Sequence, residues 1–316
     1  MNPADTPLLL IIWRRPHTLR QVINAIRPVA PKRLYVACDG PDPLRPGEAE
    51  KVAATRAVVE HEIDWPCQIE RLYSDVNLGC RLGVSHAITW FFDQVEEGII
   101  LEDDCVPHPD FFFYCSSLLE RFRHDTRVWC ISGNNFQDGQ WRGDGSYYFS
   151  NYNHCWGWSS WRRCWHHYDS DLRQWPALRE SGLLDTIFED PLEHKYWSCV
   201  WQRLLESGEP DTWDYQWMFT CLVNRGLTAL PNRNLVSNVG FGEDATHTTH
   251  VADPTLADQS LGRLRHPTFV LRNASADAYS FDHHFGGVEM RRSRKLIPRV
   301  KARLRHHWYQ LQHVSR

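Results

Sequence analysis

Apolar residues come in two patterns along this chain: short unbroken runs, and longer stretches in which they recur every three or four positions. Leu8-Leu9-Leu10-Ile11-Ile12 is the first run, and a continuous apolar pentad reads as a strand buried on both faces. Behind it, Leu19, Val22, Ile23 and Ile26 fall at i, i+3, i+4 and i+7, one stripe of a helix that Pro28 and Pro31 end. The alternation then repeats. Leu34 to Cys38 predicts a strand, Glu48 to Ile63 a helix and Gln68 to Tyr73 a third strand. The next helix carries Val84, Ile88, Phe91 and Val95 on one stripe and delivers the chain to the run Ile99-Ile100-Leu101. Strands and helices in this order predict an α/β fold with a mostly parallel central sheet flanked by helices.

Further on, Phe111, Cys115, Leu118 and Phe122 mark another helix, Val128 to Ser132 a strand, and Gly133-Asn134-Asn135 a turn. From Gln137 the chain reads as loops rich in Gly, Tyr and Trp. Ser159 is the expected N-cap of a helix starting at Ser160, and helical stretches are expected near Leu183 to Phe188 and Tyr196 to Leu205. Asp211 or Thr212 is a candidate cap for the helix after Trp213. Strand and loop are expected from Pro231 to Gly242, and Gly242 to His250 reads as a glycine-hinged polar loop. With no internal repeat and no linker, the division expected is one domain over 1–255 and a C-terminal extension over 256–316. Between Arg291 and Arg305 the extension holds eight Lys or Arg and no acid, interleaved with Leu296, Ile297, Val300 and Leu304. A basic amphipathic helix over 291–308 suits the anionic surface of a membrane; a solvated or disordered end fits the same residues.

Composition narrows the class. In 316 residues, 42% are hydrophobic and 23% charged, the balance of a soluble globular protein. The formal net charge of −4 makes no case for nucleic acid. Ten Cys occur without a C-x-x-C pair or a disulfide-like ladder, and the first residues lack a basic, apolar leader, so reduced thiols and a cytoplasmic location are expected. Fifteen Trp, dense from Trp129 to Trp217, offer either sugar-stacking faces or core filling.

The candidate chemistry sits where the run Ile99 to Leu101 breaks into Glu102-Asp103-Asp104. Adjacent acids at a buried strand's C-terminal mouth repel one another and call for a cation or several donors. Hard oxygens suit Mg²⁺ or Mn²⁺, which keep waters and bind substrate phosphates. A solvated acidic turn is the alternative. In a parallel sheet the loops after the strands share one crevice, and Arg15, Asp39, Asp75 and Asp104 each follow a strand. The phosphate motifs G-x-G-x-x-G and G-x-x-x-x-G-K-[ST] are absent from the sequence. Asp214, between Trp213 and Tyr215, is a candidate general base in an apolar setting, or a helix first-turn acid.

Taken in order, these residues resemble a known family. Ile99 to Asp104 followed by Pro109-Asp110-Phe111-Phe112, Trp156-Gly157-Trp158, and Trp213-Asp214 resemble motifs of the N-acetylglucosaminyltransferase I family and its GT-A relatives, over about Leu8 to Thr248. The resemblance implies a GT-A fold and a metal-dependent, inverting glycosyltransferase. Its donor would be a nucleoside-diphosphate sugar (a UDP-sugar foremost), its cofactor Mn²⁺ or Mg²⁺, and its acceptor a hydroxyl on a glycan, lipid-linked or protein partner. It implies Asp104 as metal ligand and Asp214 as catalytic base. Arg15, Asp39 and Asp75 would serve the nucleotide, and Glu102, Asp103 and Trp213 the donor sugar side. The 242–248 loop, with Thr246 and His247, would close over the diphosphate. The chain departs from the family in reading Trp-Asp-Tyr-Gln-Trp where a second acid is usual. A sugar-1-phosphate nucleotidyltransferase, or a non-catalytic carbohydrate-binding or membrane-surface protein, are the rival readings.

Overall fold

The apolar run Leu8–Ile12 becomes strand β1, and the alternating elements after it wind back and forth across a sheet built on both of its sides. The computed structural model describes residues 2–240, 256, 257 and 259–293. After β1 come α1 (Pro16–Ile26), β2 (Arg33–Cys38), α2 (Glu48–Glu62), β3 (Gln68–Tyr73), α3 (Gly79–Gln94) and β4 (Glu97–Glu102). A three-residue strand β5 (Cys105–Pro107) leads into α4 (Pro109–Phe122), β6 (Val128–Ser132), β7 (Tyr147–Ser150) and β8 (Trp158–Trp161). Helices α5 (Arg162–Trp165), α6 (Trp175–Ser181), α7 (Pro191–Ser207) and α8 (Asp214–Val223) follow, then β9 (Leu227–Pro231), β10 (Val236–Asn238) and α9 (Ala274–His283).

Among the described residues, eight strands form one sheet in the order β3-β2-β1-β4-β8-β6-β9-β7. The half from β3 to β4 is parallel throughout, as the alternation predicts. The other half is mixed: β8 runs antiparallel to both β4 and β6, β9 parallel to β6, and β7 antiparallel to β9. The fold is thus α/β, a large central sheet flanked by helices.

Two local expectations fail in that second half. Ser159 does not cap a helix: Trp158–Trp161 is a strand, all four residues buried, and the helix begins only at Arg162. The slot between β4 and β6 needs a strand, and ladder bonds on both edges outweigh one capping hydroxyl. Ser160 turns its hydroxyl to the Trp129 carbonyl instead, at 2.7 Å. Tyr147–Ser150, read as loop, is likewise a fully buried strand.

Most of the tryptophans fill cores. Trp158, Trp161, Trp175, Trp197, Trp201 and Trp217 are wholly buried. Trp158, Trp161 and Trp217 pack in the sheet core, while Trp175, Trp197 and Trp201 join Tyr152, Phe219 and Phe281 in a second core among the later helices. The extension is part of this body as far as residue 293. Arg272 bridges to Phe149, and its guanidinium lies 2.6 Å from the fully buried Asp277 of α9. The ten cysteines are all free. Among the described residues no helix is long and apolar enough to cross a membrane, and the basic stretch from 294 onwards lies outside those residues.

Candidate functional site

The chain leaves β1 for β2 and β3 on one side and returns to β4 on the other, so the sheet order reverses between β1 and β4. At such a switch point the loops beyond the two strands part and leave a crevice. Into it run Trp13-Arg14-Arg15 after β1 and Glu102-Asp103-Asp104 at the end of β4. Ile11 and Glu102 are register partners, which sets the cationic and the acidic turns side by side.

Arg15 binds both aspartates. Its Nη2 lies 2.7 Å from Asp103 Oδ1 and its Nη1 2.6 Å from Asp104 Oδ2. Asp103 Oδ2 also accepts the Trp13 backbone N–H at 2.8 Å. Burial works against the charge on Arg15, but Asp103 and Asp104 outweigh it and hold the guanidinium protonated well above its ordinary range. The acids are strained in the opposite sense. Burial, then the charge of Asp104, push Glu102 up to about 8, and burial likewise raises Asp103 despite Arg15. Asp214 also contributes to raising Glu102, so this acid from the start of α8 belongs to the same electrostatic site. The Thr212 hydroxyl donates to the Asp214 carboxylate. From a third side β10 brings in Gly240, and the approach is close: a Cβ there would lie 2.0 Å from Asp104 Oδ2. Any side chain at 240 would split the Arg15–Asp104 pair.

The other expected site residues divide. Asp39 lines the cleft, but its carboxylate accepts the backbone amides of Gly40, Leu78 and Gly79 at 2.8–3.2 Å, so it pins the β3–α3 turn. Asp75 is exposed and does not line the cleft. Trp213 lines it, yet is buried and stacked on Trp158 at 5.6 Å, so it acts as a wall beside Asp214. Thr246 and His247 lie outside the described residues. Asp211, foreseen as a cap for the helix after Trp213, instead accepts the Cys80 and Arg81 amides of α3 at 2.7 and 3.1 Å. That clamp joins the α3 turn to the Asp214 segment, and nothing in the local sequence announces it.

Arg15, the three acids at the end of β4, Asp39, Asp211, Trp213, Asp214 and Gly240 face one cleft of about 1310 Å³. Another part of its lining is aromatic, and sequence reasoning missed it as a site. There Asn134, just past β6, and His154, before β8, meet Phe136, Trp156, His284 and Phe285. Phe136 stacks on His284 at 4.1 Å and meets His154 edge-on at 4.5 Å. Polar residues directly after a buried strand were the available signal for Asn134. The contribution of α9 and its flank, more than a hundred residues away, had none.

Among the described residues no group of three or more His, Cys, Asp or Glu comes together to cage a metal ion. The donors at the mouth are hard carboxylate oxygens that already share one guanidinium. That set suits a divalent ion held by one carboxylate and completed by water and substrate phosphate.

No protein-family model matches the chain, and no curated protein matches it in sequence. Similar solved structures include a cytidylyltransferase from Leptospira borgpetersenii, 10% identical, covering 64% of this chain and 71% of that one, with a TM-score of 0.31. Another is a 4-diphosphocytidyl-2C-methyl-D-erythritol synthase from Anaerococcus prevotii, 8% identical, covering 71% and 88%, with a TM-score of 0.35. At this level the likeness says nothing of activity. The resemblance to the N-acetylglucosaminyltransferase I family rests on the motifs alone.

Proposed function

We propose that this chain is a metal-dependent glycosyltransferase that moves a sugar, with inversion, from a nucleoside-diphosphate donor to a hydroxyl acceptor. The observation that carries the reading is the crowding of Glu102, Asp103 and Asp104 around Arg15 at the sheet's switch point, in a cleft that Asp214 and an aromatic cluster also line. Carboxylates outnumber the guanidinium there, so a diphosphate would enter against net repulsion unless a cation came with it. Asp104 would hold Mn²⁺ or Mg²⁺, which when bound supplies charge neutralisation to the diphosphate leaving group. Arg15 would orient that end of the donor, and Glu102 would meet the donor sugar. Asp214, half-buried and placed beside a tryptophan wall, would take the acceptor proton.

Nucleotidyl transfer fits the same mouth less well. It asks for free backbone amides around a triphosphate, whereas the turn after β1 has no glycine, donates its Trp13 amide to Asp103, and spends its guanidinium on two aspartates. The test is Asp214→Asn, assayed for UDP release from a panel of UDP-sugars and for UDP affinity. Retained affinity with turnover lowered about 100-fold or more supports the base role. Turnover at the parent rate removes Asp214 as base. Release of pyrophosphate from UTP or CTP with a sugar 1-phosphate, and none of UDP from any sugar donor, would overturn the reading in favour of nucleotidyl transfer.

A further inference from the structure

Away from the cleft, one face of the molecule combines exposed apolar side chains with positive charge. The strap over residues 259–272 is fixed along its length. Asp110 accepts the Ser260 hydroxyl at 2.6 Å and the Leu261 amide at 2.8 Å. Along β7, the Ser146 amide donates to the Arg265 carbonyl and the Asn273 amide to that of Phe149, each at 2.7 Å. Leu261, Leu264 and Val270 pack against the sheet core, and the neighbours of Val270 turn outward. Phe269 is 69% exposed and Leu271 68%, and Arg263, Arg265 and His266 are exposed beside them. Residues 259–272 hold three arginines and no acid. The loop over 140–145 lies against this strap. Its one acid, Asp144, accepts the Thr268 amide at 3.3 Å, and a Cβ on Gly145 would lie 2.6 Å from the Pro267 nitrogen. The loop adds Trp141, 44% exposed, with the Arg233 guanidinium 5.9 Å from its ring centroid. The C-terminal basic stretch starts close by. Arg272, at the end of the strap, and Arg291, at the start of that stretch, both reach the 187–190 segment. Arg272 Nη1 lies 3.5 Å from the Ile187 carbonyl and Arg291 Nη2 2.7 Å from Asp190 Oδ2. Between Arg291 and Arg305 the chain carries eight Lys or Arg and no acid.

Bulky apolar groups held out by a fixed backbone and rimmed by cations mark a surface that something else covers. A nucleic acid would use the arginines and leave Phe269 and Leu271 in water. A phospholipid bilayer uses both. Trp and Phe rings settle at headgroup depth, Leu reaches the acyl boundary, and arginines meet the lipid phosphates. We infer that the 140–145 loop and the 259–272 strap form a docking face for an anionic phospholipid bilayer. Trp141, Phe269 and Leu271 enter the interface, Arg233, Arg263 and Arg265 lie over the phosphates, and the basic stretch from Arg291 adds attraction. The inference goes beyond the transferase reading and does not depend on it.

Co-sedimentation of the full chain with vesicles tests it, using phosphatidylcholine alone and an equal mixture of phosphatidylcholine and phosphatidylglycerol. The parent should bind the anionic vesicles at least about tenfold more tightly than the neutral ones, and more weakly as salt rises. The double variant Phe269→Ser with Leu271→Ser leaves every cation and the basic stretch in place. It should bind anionic vesicles about tenfold more weakly. Arg263→Gln with Arg265→Gln should also weaken binding about tenfold and flatten its salt dependence. All four side chains are exposed, so the unfolding midpoint and UDP affinity should not move. If the apolar double variant fails to fold, Trp141→Ala carries that arm. No binding of anionic vesicles by the parent, or equal binding of neutral ones, would overturn the face. Undiminished binding by the apolar variant would also overturn it and leave the basic stretch as the whole attraction. Self-association that the apolar variant abolishes, without vesicle binding, would overturn it in favour of a second copy of this chain. Vesicle binding in a chain that ignores UDP would keep the face and sink the transferase reading. UDP binding without vesicle binding would do the reverse.

Discussion

Two parts of the cleft lining are built on opposite principles. At the mouth, charges are tied down: Arg15 spans Asp103 and Asp104, Trp13 donates its amide to Asp103, and Asp39 and Asp211 consume the amides of the α3 turn. In the aromatic part rings pack on rings, and Asn134 Nδ2 and His154 Nε2 are buried without a hydrogen-bond partner. The difference sets tied charge against ring packing along one cleft. A mouth of satisfied charges is rigid and changes state when another cation or anion arrives.

The largest expected effect is at the mouth. Arg15→Ala strands two buried carboxylates without their counter-charge, which should cost about 3–5 kcal/mol in urea unfolding and abolish nucleotide binding. A loss under 1 kcal/mol, on the order of an exposed pair, would mean that the aspartates are less dependent on Arg15 than their burial implies.

The second effect concerns a carboxyl hidden behind the aromatic part. Glu193 is 4% exposed and accepts the Tyr152 hydroxyl, which in turn accepts Trp197 Nε1–H. Burial pushes it up to about 7, so the folded state favours its neutral form. Its contribution to stability is complete below its ordinary value of 4.5 and falls as pH rises through about 7. Glu193→Gln keeps an acceptor for Tyr152 and removes that fall. The parent should therefore lose up to about 3 kcal/mol relative to the variant between pH 4.5 and 8, read from denaturation midpoints. A constant difference across that range would place the ionisation elsewhere.

The smallest effect is Asp75→Ala. Exposed and away from the cleft wall, Asp75 should change nucleotide affinity by less than about twofold. A tenfold loss would restore the nucleotide-binding role that the family resemblance implies for it.

The parallel half of the sheet was legible because β1, β2 and β4 are buried on both faces and its helices carry one apolar stripe, so period and run length speak directly. The mixed half was hidden. Trp158–Trp161 pairs on both edges with strands distant in sequence, and its two serines look like caps until those partners are known. The acidic mouth was readable as far as residue type goes: an arginine after one strand and three acids after another. The sequence could not say that Arg15 takes both aspartates, that Asp39 is spent on backbone amides, or that Asp211 reaches across to α3. The aromatic part needs β6, the 152–156 segment and the flank of α9 to converge, and no local pattern encodes that convergence.

The most direct test of the central claim is calorimetric titration of UDP, GDP and dTDP into the folded parent with and without Mn²⁺, repeated on Asp104→Ala. Metal-dependent binding of one nucleotide, lost in the variant, is the expected result. No binding by the parent with metal present, or undiminished binding by Asp104→Ala, would contradict a nucleotide-sugar site built on that carboxylate.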